Sequence, residues 1–185
     1  MREYINREVE KLIKKYKTID PFELINCLGI NLLFKSDLGE LKGFYYITHR
    51  EKYIVINSSL HKREQLLVAA HELGHDRLHR HLAKVSPLKD FMIYDMVSHA
   101  EYEANMFASE LLIEDKQVED CIADEMDFFY MCRSLGFRPE FVTFKLYNMM
   151  QRGYRINLPQ NIDSKFLGKY TSISDLGYKK RVTSN

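Results

Sequence analysis

The pentapeptide His71-Glu72-Leu73-Gly74-His75 combines residue types and spacing that could do chemistry. Two histidines four residues apart on a helix lie about one turn apart on the same face, so both imidazoles can reach one metal ion. Nitrogen ligands combined with carboxylate chemistry favour zinc over magnesium or calcium. Glu72 can take a proton from a water molecule whose pKa the zinc lowers to about 7. The motif therefore predicts a hydrolytic zinc site with His71 and His75 as ligands and Glu72 as the catalytic base.

A hydrolytic zinc site also needs a third protein ligand and an open fourth position. Glu101 lies downstream on a segment with apolar helical periodicity and shares its helical face with alanines and Asn105. Glu103 points about 200° away from Glu101 on the same helix, so only one of the two can face the metal. We choose Glu101 as the third ligand and expect Glu103 to be an exposed helix charge. Asn105 is one turn further on, where it could hydrogen-bond a ligand histidine.

Other polar residues near the motif are weaker candidates. His79 continues the histidine series by four residues, but it lies about 12 Å along the helix from His71, too far for both to bind one ion. We expect His79 to support a ligand or to pack. His99, Tyr94 and Tyr102 could each stabilise the oxyanion of a tetrahedral intermediate, although each is more often an ordinary surface or core residue.

The helices and strands that must position these residues follow from apolar periodicity. The motif lies on a predicted helix from about His61 to His79, and Glu101 lies on one from about Ser98 to Ile113. Three runs rich in β-branched and aromatic residues predict strands at Ile30–Phe34, Gly43–Thr48 and Lys52–Asn57. The last two are joined by a short polar connection and should be antiparallel. We expect an α+β fold, with a small three-stranded, partly antiparallel sheet packed on a helical body that carries the HExxH helix.

The rest of the chain is predicted to be mainly helical. Further helices are expected at residues 4–16, 21–28, 118–135 and 139–150. We divide the chain into a core with the zinc site at 1–114, C-terminal helices packed on it at 115–152, and a polar tail at 153–185, part of which we expect to be disordered. The strand at residues 53–57 could offer its edge to an extended peptide or could be a covered central strand.

Composition restricts the partners. Lysine and arginine number 27 against 26 aspartate and glutamate residues, which gives no sign of a polyanionic partner. The three cysteines form no CxxC pair, which argues against a disulfide framework and a cysteine-built zinc site. The N-terminus does not resemble a secretory signal, and no apolar run is long enough to cross a bilayer. We therefore expect a cytoplasmic protein without membrane contact.

One segment resembles the spacing of a DNA-binding helix-turn-helix. Residues 137–139 separate the last two predicted helices, and Lys145, Arg152 and Arg155 follow closely. Mixed charge and the many apolar residues of the last helix favour a packing role, so we expect no direct nucleic-acid binding.

Two blocks of the sequence, residues 64–79 around HELGH and residues 101–112 (EYEANMFASELL), resemble the ImmA/IrrE metallopeptidases in order and separation. Upstream segments at residues 20–24, 41–45 and 54–57 are also similar to that family. The resemblance implies zinc ligands at His71, His75 and Glu101, as in gluzincins, with Glu72 as general base. The sequence departs from the family pattern at residues 113–114, where Ile-Glu replaces the usual Met-Pro.

Several members of that family cleave repressor-type transcription factors, which implies a cytoplasmic regulatory protease. We expect a zinc-dependent endopeptidase that acts on a regulatory protein, such as a helix-turn-helix repressor of a phage or mobile element. The alternative is a non-catalytic module in which zinc only stabilises the fold and the protein binds a transcription factor or DNA. Glu72 distinguishes the two, because a structural zinc site has no use for a base beside its first ligand.

Overall fold

The computed structural model of the chain describes residues 3–83, 88–90 and 98–156. Its elements are helices and strands in the following order: α1 Glu3–Tyr16, α2 Pro21–Cys27, β1 Asn31–Lys35, β2 Gly43–Thr48, β3 Glu51–Asn57, α3 Lys62–Leu78, α4 Arg80–Ala83, β4 Leu88–Asp90, α5 His99–Leu112, α6 Asp115–Ala123, α7 Phe128–Leu135 and α8 Pro139–Gln151. This confirms the predicted α+β fold. None of the helices described is long and apolar enough to span a bilayer.

The three predicted strands form one mixed sheet, which the short strand β4 extends to the order β1-β3-β2-β4. β1 runs parallel to β3, whereas β2 pairs antiparallel with both β3 and β4. The β2–β3 hairpin closes through His49 and Arg50, both with positive φ, which suits the right-handed twist of the strands. Because β3 is hydrogen-bonded on both sides, the suggestion that it offers a free edge to a peptide is wrong.

α3 is the central helix, packed between α5 on one side and β2 and β3 on the other. Its buried residues therefore surround most of the helix, as an element with neighbours on several sides requires. The N-terminal cap of α5 is Ser98, whose hydroxyl accepts a hydrogen bond from the Glu101 amide at 3.3 Å. That cap fixes where α5 begins, and with it the position of Glu101 in the first turn.

The prediction of one helix at 118–135 is wrong, because the structure has two helices, α6 and α7, in this region. Glu125 between them has a φ of 52°, which ends α6, and the Asp127 carboxylate caps α7 by accepting from the Tyr130 amide at 2.9 Å. Upstream, Glu114 opens α6 in a capping box with Gln117. The departure from the family pattern at residues 113–114 thus begins a regular helix. Most of the predicted polar tail lies outside the described residues.

Candidate metal centre

α3 holds His71, Glu72 and His75 in the interior, with 0%, 0% and 1% of their surface exposed. The two histidines are one helical turn apart, and their Nε2 atoms face each other at 3.0 Å. Burying such polar groups is unfavourable unless each finds a partner. The two imidazoles therefore converge on one point within the protein.

α5 brings the carboxylate of Glu101 to the same point. Its Oε2 lies 3.0 Å from His71 Nε2, and its Oε1 lies 3.4 Å from His75 Nε2. One ligand atom from each of the three residues lies within 4.8 Å of the others. The structure thus brings together the three residues that the sequence nominated as metal ligands.

The distance between α3 and α5 is set by Gly74, which lies within the HELGH motif. A Cβ atom at this position would be 3.2 Å from the Ala104 Cα, 3.2 Å from the Ala104 carbonyl oxygen and 3.2 Å from Phe107 Cδ1. The absence of a side chain lets the two backbones approach closely. This close approach allows a carboxylate on α5 to reach two histidines on α3.

Asn105 supports the first histidine. Its Oδ1 lies 3.0 Å from His71 Nδ1 and accepts the proton of that nitrogen. With the proton on Nδ1, the lone pair of Nε2 points toward Glu101 and His75. Asn105 has no exposed surface and lies where the sequence expectation placed it, beside a ligand histidine.

The second histidine is supported by a chain of two further residues. His75 Nδ1 lies 3.1 Å from His79 Nδ1, and His79 Nε2 lies 3.0 Å from Glu103 Oε2. The expectation that Glu103 is an exposed charge is wrong, because only 14% of its side chain is exposed. α3 continues for one turn past His75 alongside α5, so the face of α5 that carries Glu103 meets His79.

Burial and hydrogen bonding set the protonation of these groups. Burial by itself raises the pKa of Glu101, but its contacts with His71 and His75 outweigh that effect and hold the pKa well below its usual range. Burial lowers the pKa of His75 to about 4. At neutral pH the cluster thus presents an anionic carboxylate and a neutral imidazole, the forms that bind metal ions.

Zinc fits this donor set. A tetrahedral ion with bonds of about 2.1 Å separates its ligand atoms by about 3.4 Å. The separations between His71 Nε2, His75 Nε2 and the two Glu101 oxygens are 3.0 to 3.4 Å. Two imidazole nitrogens and one carboxylate leave a fourth position for water or substrate, which is the ligand pattern of catalytic zinc sites.

The side chain of Glu72 extends from α3 toward Gly43 at the start of β2. A Cβ atom at Gly43 would be 3.3 Å from Glu72 Oε1, 2.4 Å from Val68 Cγ1 and 2.9 Å from the Val55 carbonyl oxygen. Only glycine leaves room there for β2, Val68 and the carboxylate of Glu72. Gly43 therefore shapes the space around the candidate base.

The sequence reasoning missed Asp76, which follows the second histidine and has no exposed surface. Its Oδ1 accepts a hydrogen bond from the Tyr45 hydroxyl at 2.9 Å, and its Oδ2 accepts one from Arg80 Nη2 at 2.8 Å. Burial and the charge of Asp76 raise the pKa of Tyr45. The contact joins α3 to β2 beside the metal centre. A charged residue on a predicted buried helix was its only sequence signal.

Two of the three candidate oxyanion donors, Tyr102 and His99, lie in the part of the chain that the structure describes. Tyr102 is in the core, where its ring packs edge-on against Phe144 at 5.7 Å, as an ordinary core residue does. The imidazole of His99 is half exposed and lies 3.4 Å from Glu103 through Nδ1. Tyr94 lies outside the described residues.

Comparison with known proteins supports a metallopeptidase-like domain, the class that the cluster of His71, His75 and Glu101 suggests. Residues 25–141 match the family Peptidase_M78, described as the IrrE N-terminal-like domain, and the chain belongs to that family. It is 44% identical over 111 residues to "Uncharacterized immunity region protein 2" of Bacillus phage phi105, covering 60% of this chain and 69% of that protein.

The chain is also 29% identical over 118 residues to "Metallopeptidase ImmA" of Bacillus subtilis strain 168, covering 64% of this chain and 68% of that protein. No solved structure matches the chain significantly. Membership in the family supports a peptidase and implies a metal cofactor, which the cluster of His71, His75 and Glu101 could hold.

Proposed function

We propose that the protein is a zinc-dependent endopeptidase in which His71, His75 and Glu101 hold the ion and Glu72 is the general base. The observation that carries the proposal is the convergence of two buried imidazoles and one partly buried carboxylate from two helices, with a second carboxylate adjacent to the first histidine. A bound zinc ion would polarise the scissile carbonyl and make the attacking water more acidic.

The residues of the chain then have distinct tasks. Glu72 accepts a proton from the attacking water and donates it to the leaving amine, so that a single carboxylate serves both steps. Asn105 keeps the proton of His71 on Nδ1, and His79 orients His75 from the other side. The buried position of Glu72 excludes bulk water from the path of the transferred proton.

The substrate we propose is a regulatory protein, such as a helix-turn-helix repressor of a phage or mobile element. Support comes from the two relatives, of which one is named for an immunity region and the other is named a metallopeptidase. A repressor acts where the DNA is, so we place the reaction in the cytoplasm.

The test is a Glu72→Gln substitution, assayed for cleavage of any purified helix-turn-helix repressor that a neighbouring gene encodes. Loss of the general base should lower the cleavage rate by about 100-fold or more, since general acid–base catalysis contributes about 10² to 10⁴. The zinc content per protein, measured by inductively coupled plasma mass spectrometry, should equal that of the unchanged protein because Glu72 is not a proposed ligand.

A Glu10→Gln substitution on α1 is the matched control, because Glu10 is exposed and outside the centre. It should cleave at the unchanged rate. Cleavage by Glu72→Gln at the rate of the control would rule out Glu72 as the general base. Absence of cleavage by the unchanged protein and the control alike would favour a zinc-stabilised binding module.

A further inference from the structure

A cavity of about 350 Å³ lies between the start of α3 and the turn that joins α7 to α8. Lys42, Arg63 and Arg138 are among the residues that line it and carry positive charge, whereas Leu67 and Phe137 give it an apolar surface. No residue assigned to the metal centre lines this cavity. It is therefore a second concave feature, with a chemistry of its own.

The positive charge of this cavity is only partly compensated. Lys42 Nζ lies 3.9 Å from Glu64 Oε1, at the outer limit of an ion pair. Arg63 is held over the Phe137 ring at 4.7 Å and donates to a backbone carbonyl, which leaves its charge unneutralised. Arg138 is exposed and makes no ion pair with any residue that the structure describes. Three cations thus face one carboxylate, although the whole chain has a formal charge of +1.

The cavity and the metal centre share one face of α3. Glu64, Leu67 and His71 are spaced at i, i+3 and i+7, and residues at these spacings lie on the same side of a helix. The rise of a helix separates Glu64 from His71 by about 10 Å. On the other side, Lys42 precedes Gly43, against which Glu72 packs. An extended peptide advances about 3.3 Å per residue, so about three residues span that distance.

We infer that this cavity binds an acidic side chain of the polypeptide substrate, about three residues from the scissile bond. The inference rests on the proposed peptidase function and adds a substrate preference to it. The two arginines can bind a carboxylate through charge-assisted hydrogen bonds. Leu67 and Phe137 contact the aliphatic part of a glutamate, a contact that free phosphate does not make.

The test measures binding of a short fluorescein-labelled peptide with two adjacent glutamates, and of the same peptide with glutamines, by fluorescence anisotropy. The full-length zinc-loaded Glu72→Gln protein is used throughout, so that neither peptide is cleaved. At low ionic strength the glutamate peptide should bind about tenfold more tightly. The double substitution Lys42→Glu and Arg138→Glu should remove that preference, with an unchanged circular dichroism spectrum and zinc content.

The matched control is Lys11→Glu with Lys14→Glu, which makes the same charge change on exposed positions of α1. It should keep the preference for glutamate. Equal binding of the two peptides, or equal loss in the cavity variant and the control, would overturn the inference. Displacement of the peptide by inorganic phosphate as effectively as by unlabelled peptide would also overturn it, in favour of a free-anion site.

Cleavage of the repressor by the zinc-loaded unchanged protein is followed in parallel. Its absence would contradict the proposed peptidase function without altering the peptide affinities, so the two failures are distinguishable.

Discussion

Each of the two proposed ligand histidines depends on the group bound to its other ring nitrogen. His71 is held by a neutral amide oxygen, whereas His75 is held by another imidazole that is itself anchored to Glu103. A carboxylate at the end of that chain accepts the proton of His79 Nε2, which leaves His79 Nδ1 free to accept from His75. Both histidines therefore present the Nε2 lone pair to one point.

Replacing His79 with alanine should weaken zinc binding by about 10- to 100-fold, the usual effect of losing an outer partner of a metal ligand. His75 Nδ1 would lose its acceptor, and the imidazole would be free to rotate away from the centre. Zinc affinity is measured by competition with a chromophoric chelator, and the thermal unfolding of the zinc-free protein is recorded beside it.

His81→Ala is the matched control, because His81 is exposed on the neighbouring helix α4. A positioning role predicts a loss of affinity in His79→Ala alone. If His79→Ala lowers the unfolding temperature of the zinc-free protein but binds zinc as tightly as the control, His79 only packs.

Residue spacing along one helix could be read from the sequence, but several contacts between elements could not. The HExxH spacing nominated His71 and His75, and helical geometry distinguished Glu101 from Glu103. The buried environment of Glu103 was missed, since it depends on how far α3 extends past His75 beside α5. Asp76 was missed for the same reason, because its partner Tyr45 lies on β2.

At the scale of elements, the site depends on how closely two helices approach. α3 carries two of the three donor groups and α5 carries the third. Helix axes usually pack 8 to 10 Å apart, depending on the side chains at the contact. Gly74 has no side chain and lies opposite the backbone of Ala104, so α3 and α5 can approach each other closely at this contact.

Gly74→Ala should destabilise the protein by about 1 to 3 kcal/mol, as overpacking in a close-packed core does. Alanine alone would favour the helix by about 1 kcal/mol, so a net loss reports the contact with α5. Zinc affinity should fall as well, because moving α5 away carries Glu101 with it. Chemical denaturation of the zinc-free protein and chelator competition measure the two effects. Unchanged stability and affinity would contradict a role for Gly74 in setting the helix separation.

The predicted elements were more accurate where periodicity was long. The helices that carry the site and the three strands with β-branched residues were placed within a few residues. β4 has only three residues, too short for a pattern, and it joins the sheet by pairing with β2. The break between α6 and α7 was missed because the cap at Asp127 lies within a segment that is otherwise compatible with a helix.

At the scale of the whole molecule, a buried ionic cluster joins the first helix to the last. Lys145 on α8 is 1% exposed and lies 3.0 Å from Glu110 Oε2 and 2.7 Å from Asp115 Oδ1. Asn148 donates to both Asn6 on α1 and Glu110 on α5. Lys145, one of the three basic residues considered for a DNA-binding segment, therefore has an internal role. This agrees with the packing interpretation of that segment.

Asp115→Asn should lower stability at neutral pH by about 1 to 3 kcal/mol, because buried Lys145 loses a charged partner. Burial raises the pKa of Asp115, but hydrogen bonds from Arg152 and Lys145 outweigh it and lower the pKa below 3.8. Ionised Asp115 therefore stabilises the fold at pH values above its pKa in the unfolded chain. This stabilisation is lost as the pH falls through the lower pKa of the folded protein. Unfolding temperatures of the two proteins, measured from pH 7 downward, should converge in acid.

Asp120→Asn is the matched control for this pH series, because the Lys116–Asp120 pair is exposed, with 72% and 59% of the two side chains accessible. Solvent screens an exposed pair, so this variant should follow the unchanged protein at every pH. The unfolding temperatures of Asp115→Asn and the unchanged protein could instead differ by the same amount in acid as at pH 7. That result would show that the charge of Asp115 is not the source of the difference. The cluster would then join α8 to α5 through Glu110 alone, and Glu110→Gln would become the more damaging substitution.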